Sequence, residues 1–169
     1  MCLILFAWNS HPDYSLVVAA NRDEFYERDT DGVSWWQEHP HLLAGRDRAD
    51  VLGSPGTWLG FTKTGKFAAL TNVRAPSEKN PDSRTRGELS LMYLTGKDRP
   101  TEFIQENAKR FQQYNGFNLL MADLSNPEKV VNMLYYIIGE EELFDMMKDS
   151  ETWDENWNLA DLTVSSVAP

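Results

Sequence analysis

The chain is 169 residues long, the size of one domain that can bury a continuous hydrophobic core. Its formal net charge of -10 argues against a nucleic acid or an anionic membrane surface as the main partner, because both are bound by clustered lysine and arginine. No apolar run reaches the length of a membrane span. The single cysteine, Cys2, excludes an intrachain disulfide, and we expect a protein of the reducing cytoplasm.

The first predicted elements form a hairpin. Residues 2–8 are bulky and apolar, residues 9–13 are a polar turn cluster, and residues 15–20 are a second apolar run. A turn in the middle of that cluster pairs residues whose numbers sum to about 23–25. Cys2 is therefore expected to lie across from residues 21–23.

The next stretch, residues 25–57, has no clear period and is predicted to be irregular apart from a short strand at residues 42–44. A second hairpin is predicted from residues 58–62 and 67–71, which flank a Lys-Thr-Gly-Lys turn. Residues 77–83 are predicted to be an exposed loop.

Helical signals occupy the middle of the chain. Apolar side chains at helical spacing predict helices over residues 87–94 and 100–113, the second beginning with a proline that suits a first helical turn. A third hairpin is predicted from residues 117–123 and 130–138, followed by a short acidic helix over residues 140–148.

The last residues, 150–169, form an acidic tail in which residues 162–164 are a candidate edge strand. No internal repeat or linker divides residues 1–169, so a single domain is predicted. Hairpins around a central pair of helices predict an α+β fold, with antiparallel sheet and helices segregated against it.

Cys2 is the strongest candidate for chemistry. A small residue after the initiator methionine permits removal of Met1, which would leave a cysteine with a free α-amine that titrates near about 7.7–8.0. One residue would then supply both the nucleophile and the base that activates it. The alternative is that Cys2 is a small hydrophobic residue at the start of a buried strand.

Four consecutive polar residues follow the second strand and are expected to lie near Cys2. There, Asp23 could hold the α-amine by a charge-assisted hydrogen bond, and Asn21 could orient a substrate carbonyl. Arg22 could bind a substrate carboxylate or pair with Glu24. The alternative is that these four residues are simply a solvated strand end.

Asn72, at the end of the second hairpin, is a candidate oxyanion donor, unless it serves only the turn that follows. The histidines His11, His39 and His41 show no metal-ligand spacing, and no metal site is predicted.

The residues from 17 to 26, Val-Val-Ala-Ala-Asn-Arg-Asp-Glu-Phe-Tyr, follow Met-Cys and an apolar strand and resemble the NRDE family, also called the transport and Golgi organisation family. The resemblance covers residues 1–124. Further matches to the family are residues 56–60, 69–74, 86–89 and 114–120.

This family is similar to N-terminal nucleophile hydrolases, which implies an αββα sandwich of two antiparallel sheets with flanking helices. Its nearer relatives are cysteine amidases and acyltransferases with an Asn-x-Asp after the second strand, which Asn21 and Asp23 match. The resemblance implies that Cys2 is the nucleophile, that Asp23 positions its amine, and that Asn72 is a weaker match to an oxyanion donor. Members are usually longer and carry a Gly-Leu-Ser-Asn segment that this sequence lacks, so a truncated or reduced sandwich is expected.

Two functions follow from this interpretation. The first is a hydrolase that cleaves non-peptide C–N amide bonds, or acyl bonds, of a small molecule through Cys2 without a cofactor. The second is a non-catalytic protein that binds or traffics haem or an acyl lipid in the same pocket. A third interpretation is that Cys2 is lipidated or purely structural. The sequence indicates no oligomeric state.

Overall fold

The computed structural model describes residues 2–8, 10–14, 16–48, 55–73, 80–125 and 133–138. Within these ranges the chain forms eight strands and two helices, and the strands make two antiparallel sheets. The strands are β1 (Leu3–Trp8), β2 (Leu16–Asn21), β3 (Thr30–Trp35), β4 (Leu42–Asp47), β5 (Leu59–Thr62), β6 (Lys66–Asn72), β7 (Phe117–Asp123) and β8 (Met133–Ile138); the helices are α1 (Gly87–Thr95) and α2 (Pro100–Phe111). The predicted α+β fold, with antiparallel sheets and flanking helices, is confirmed.

The first hairpin makes a small sheet of its own. In it Leu3 pairs with Asn21 and Trp8 pairs with Leu16, which is the predicted register. One further step in that register brings Cys2 opposite Arg22. The sequence signals that predict this pairing are two apolar runs of similar length on either side of a short polar turn.

The large sheet has six strands in the order β3-β4-β5-β6-β7-β8, and every neighbouring pair is antiparallel. The predicted hairpins β5–β6 and β7–β8 are confirmed, and both helices lie in the connection between β6 and β7. At the centre of the sheet, β6 and β7 pair along their whole length, from Lys66 with Asp123 to Asn72 with Phe117.

The prediction of an irregular stretch between residues 25 and 57 is wrong in part, because β3 and β4 lie within it. β3 is an edge strand with mostly exposed residues, so it carries no alternation of apolar and polar side chains. β4 contains the predicted short strand but continues through polar Arg46 and Asp47, which pair with β3.

Helices cover one face of the large sheet. Tyr93 of α1 and Phe103 of α2 are almost completely buried there, and their rings meet edge to face with centroids 5.5 Å apart. Ala68 and Leu70 of β6 belong to the same apolar cluster. The predicted helices are therefore confirmed, with ends within two residues of those observed.

The small sheet covers the other face of the large sheet. Phe67 and Ala69 of β6 are buried there against apolar side chains of the hairpin, namely Ile4, Leu16 and Val18. The outer face of the hairpin is open, with Leu3 55% exposed and Leu5 59% exposed. The order of layers is thus helices, large sheet, small sheet; no second helical layer occurs within the described ranges.

Some predictions fall outside those ranges: the helix over residues 140–148, the strand at 162–164 and the tail as a whole. The predicted loop at 77–83 is described only from residue 80, where it is largely exposed. Among the residues that are described, no helix combines the length and the apolar character needed to cross a bilayer.

A buried carboxylate ties the start of α1 to the end of α2. Glu88 is buried and accepts two hydrogen bonds from Arg84, at 2.6 and 2.9 Å, and one from the hydroxyl of Tyr114. A second guanidinium, that of Arg110, lies 3.8 Å from the same carboxylate. The segments before α1 and after α2 are therefore held together by one charged network.

Two segments of the backbone also approach each other closely at Gly56 and Gly87. A Cβ added to Gly56 would lie 3.0 Å from the backbone of Gly87, and the amide of Thr57 donates to the carbonyl of Gly87 at 3.1 Å. This contact explains structurally why the sequence carries glycine both before β5 and at the first turn of α1.

Replacing Gly56 with alanine is expected to lower the free energy of unfolding by about 1–3 kcal/mol, because the added methyl group meets backbone that cannot rotate away. Urea denaturation measures this change. Gly32→Ala is the matched control, since no atom lies within 4 Å of a Cβ at that position. Equal effects of the two substitutions would contradict the close contact.

Candidate active site

The thiol of Cys2 is held by the backbone of the polar segment that follows β2. Its Sγ accepts a hydrogen bond from the amide of Asp23 at 3.4 Å and lies 3.9 Å from the carbonyl oxygen of the same residue. Cys2 is half-buried. The hairpin register therefore does bring the candidate nucleophile and Asp23 together.

The side chain of Asn21 bonds to the start of β1, next to Cys2. Its Oδ1 accepts a hydrogen bond from the amide of Leu3 at 2.9 Å. The side chain thus links the two strands directly next to Cys2, and its acceptor oxygen is used within the hairpin.

The side chain of Arg22, the residue after β2, contacts that of Trp58, the residue before β5. Its guanidinium carbon lies 4.8 Å from the centroid of the Trp58 ring, within the range of a cation–π contact. Trp58 can lie there because residue 45 is glycine: a Cβ at Gly45 would come within 2.7 Å of the indole. The Nη2 atom of Arg22 is buried and has no hydrogen-bond partner among the described residues, which is unusual for a charged donor.

A cavity of about 180 Å³ lies between the two sheets, beside Cys2. Its lining is mainly apolar, and the polar side chains in it besides Cys2 are Thr71 and Asn118. The Nδ2 of Asn118 donates to the Oγ1 of Thr71 at 2.9 Å. The apolar lining residues are Leu3, Ile4, Phe6, Ala69 and Leu120.

Asn72 is placed differently from the other predicted site residues. Thr71, the preceding residue, lines the cavity, and successive side chains of a strand point to opposite faces. Asn72 is exposed and is not among the described residues that line the cavity. The structure thus brings Cys2, Asn21 and Asp23 together but does not bring the side chain of Asn72 to them.

A family model described as Transport and Golgi organisation 2 matches residues 1–164. The chain belongs to the transport and Golgi organisation 2 family. It is 38% identical over 146 residues to the Transport and Golgi organization 2 homolog of Mus musculus, which is 84% of this chain and 52% of that protein. The Homo sapiens homolog is 38% identical over 144 residues, which is 83% of this chain and 51% of the relative. The Drosophila melanogaster protein is 30% identical over 145 residues, or 77% and 50%.

The predicted family membership is therefore confirmed. The chain spans about half the length of the curated relatives it matches.

In this member of the transport and Golgi organisation 2 family, Glu24 is the last of the four consecutive polar residues 21–24 and directly precedes a turn. Glu24 accepts the amide of Phe25 at 3.1 Å and lies 3.9 Å from Arg28, which in turn pairs with Asp47 at 2.9 Å. Burial, and then the charge of Arg28, lower the pKa of Arg86, and Glu24 opposes that shift. Glu24 and Asp47 both contact Arg28, which ties the segment that follows Asp23 to β4.

Two polar residues of the cavity were not identified as site residues from the sequence. Thr71 and Asn118 lie 47 positions apart, and only the β6–β7 register makes them neighbours. Asn118 does fall inside the family match at 114–120, which was the one signal that could have drawn attention to it.

Proposed function

We propose that this member of the transport and Golgi organisation 2 family is an N-terminal nucleophile hydrolase that cleaves non-peptide C–N amide bonds, or related acyl bonds, of small molecules. The observation that carries this proposal is the position of Cys2: its thiol lies at an apolar cavity and is oriented by the backbone of Asp23. A pocket that is mostly apolar, with a few polar groups beside a nucleophile, is typical of a small-molecule site.

The reaction would proceed in two steps. After removal of Met1, the α-amine of Cys2 takes the proton of the thiol, and the thiolate attacks the carbonyl carbon of the substrate. The C–N bond then breaks, the leaving amine carries away the proton, and a thioester to Cys2 remains. Water hydrolyses the thioester, releasing the carboxylic acid and restoring the thiol.

The polar segment next to Cys2 would assist both steps. The carboxylate of Asp23 would hold the α-amine, a role supported by the contact between the Asp23 backbone and Sγ. Asn21 would donate from its amide nitrogen to the substrate, because its oxygen is already used by Leu3. The buried, unpaired Nη2 of Arg22 supports a role in binding a substrate carboxylate, with Glu24 fixing the turn behind it.

A second function is favoured by the apolar lining of the cavity: binding of an acyl ligand without turnover. Its volume of about 180 Å³ is close to that of cavities that accept a benzene ring, so a short acyl chain fits it better than haem does. A thiol-dependent hydrolase suits a reducing, cytoplasmic compartment.

Intact mass spectrometry of the full chain, purified from its native host, tests the proposal. The protein should lack Met1 and carry one readily alkylated thiol. After brief incubation with short-chain acyl p-nitroanilides, it should also gain the mass of one acyl group and release nitroaniline in a burst. Retention of Met1 by all molecules, or ligand binding with no acyl adduct, would favour the binding function instead.

A further inference from the structure

We infer that the side-chain amide of Asn118, oriented by Thr71, binds the carbonyl oxygen of the ligand that occupies the cavity beside Cys2. This assignment deepens the proposed function and rests on it for the bond that reacts. It also names the ligand class: a small carbonyl compound with an apolar acyl or aroyl group.

The polarity of the cavity carries the first part of the inference. The apolar side chains of the lining have no hydrogen-bond donor; they are those of Leu3, Ile4, Phe6, Ala69 and Leu120. Removing a carbonyl oxygen from water without a new partner costs free energy, so a cavity that takes carbonyl compounds needs a donor inside it. Besides the thiol, the described lining has two side chains that can donate, those of Thr71 and Asn118.

The register of β6 and β7 carries the second part. Thr71 and Asn118 are directly opposite each other in the antiparallel pair, so both side chains stand on the face that meets the small sheet. Ala69 and Leu120, also opposite each other, line the cavity on the same face. Both members of the pair are thus fixed by the pairing of two interior strands of the sheet.

The hydrogen bond between the pair fixes the orientation of the amide. Nδ2 of Asn118 donates one of its two hydrogens to Oγ1 of Thr71 at 2.9 Å. The second hydrogen of Nδ2 is the one assigned to the ligand. Thr71 is accordingly a positioning residue, because its hydroxyl holds the amide in place.

A binding experiment separates this assignment from the question of turnover. The full chain with Cys2→Ala is titrated with benzamide and with toluene, which has similar size but no carbonyl, and binding is followed by ligand-detected NMR. Asn118→Leu in this background should weaken benzamide binding about tenfold and leave toluene binding within about twofold, as expected for loss of one hydrogen bond. Asn72→Leu, the matched control, should change neither.

Two outcomes would overturn the inference. One is an equal loss of benzamide and toluene binding in Asn118→Leu, which indicates a merely structural role. The other is a loss of benzamide binding in Asn72→Leu with none in Asn118→Leu, which assigns the carbonyl to the residue that the family resemblance implies. Thr71→Val provides a second test if Asn118→Leu does not fold, because valine is close in shape to threonine. This variant should also weaken the binding of benzamide but not that of toluene.

Turnover gives an independent readout. If the wild-type protein hydrolyses aroyl amides, Asn118→Leu should lower kcat by about 10²–10³, the usual effect of removing a donor to the reacting oxygen. If the wild-type protein shows no hydrolysis, the proposed function fails, and the selective loss of benzamide binding still decides the role of Asn118.

Discussion

Replacing Cys2 with alanine is expected to lower the rate of amide hydrolysis by at least about a thousandfold, since removal of a catalytic nucleophile leaves only the contribution of binding. Stability should change little, because the Cys2 thiol contacts the backbone of Asp23 and the edge of a cavity rather than a packed core. The measurements are single-turnover kinetics with an acyl p-nitroanilide and the midpoint of thermal unfolding.

Cys2→Ser is the matched control for this substitution. Serine keeps a side chain that can accept the amide of Asp23 but is a weaker nucleophile, so the variant should fold like the wild type and retain only slow turnover. Undiminished hydrolysis by Cys2→Ala would show that another group attacks the carbonyl. If the wild type and Cys2→Ala bind the ligand equally well and neither hydrolyses it, the binding function would explain the cavity.

The second large effect concerns stability rather than activity. Glu88→Gln is expected to lower the free energy of unfolding at pH 7 by about 3 kcal/mol, because it leaves the charge of Arg84 without its buried partner. The measurement is urea denaturation. Glu106 is an exposed residue of α2 that takes no part in this network, so Glu106→Gln is a suitable comparison and should lower the free energy of unfolding by less than about 0.5 kcal/mol.

The same carboxylate predicts a pH dependence of stability. Burial alone would raise the pKa of Glu88, but the hydrogen bonds from Arg84 and Tyr114 outweigh burial, so its pKa in the folded protein is lower than usual. The ionised form therefore stabilises the fold above the unfolded-state pKa of about 4.3, and this contribution is lost as the pH falls through the folded-state pKa. The difference in free energy of unfolding between the wild type and Glu88→Gln should therefore shrink as the pH falls from about 5 to about 3. A difference that stays constant over this range would contradict the stabilising role of the ionised Glu88.

The elements that could be predicted are those that a short stretch of sequence defines by its own pattern of residues. The β1–β2 register followed from residues 2–20 alone, and α1 and α2 followed from apolar spacing and the position of Pro100. β3 was missed because an exposed edge strand needs no apolar face, and its partner in β4 is polar at Arg46 and Asp47. A strand of that kind is defined by its neighbour rather than by its own sequence.

The candidate site divides in the same way. Cys2 and Asp23 could be paired from the hairpin signal, since both belong to one local unit. Asn118 could not, because its distance from Cys2 depends on how two separate sheets stack. The contact of Arg22 with Trp58 was hidden for the same reason, and its dependence on Gly45 is a property of packing that no local motif expresses.

The placement of the cavity between two layers has a consequence for how its shape can change. Cys2 and Arg22 adjoin the strands of the small sheet, whereas Asn118 lies in the large sheet and Trp58 directly precedes its strand β5. Apolar side chains such as Val18 pack between the two layers. A bulkier or smaller residue at such a position would shift Cys2 relative to Asn118 while every strand kept its hydrogen bonds. The shape of the cavity can therefore change through substitutions at positions that do not line it.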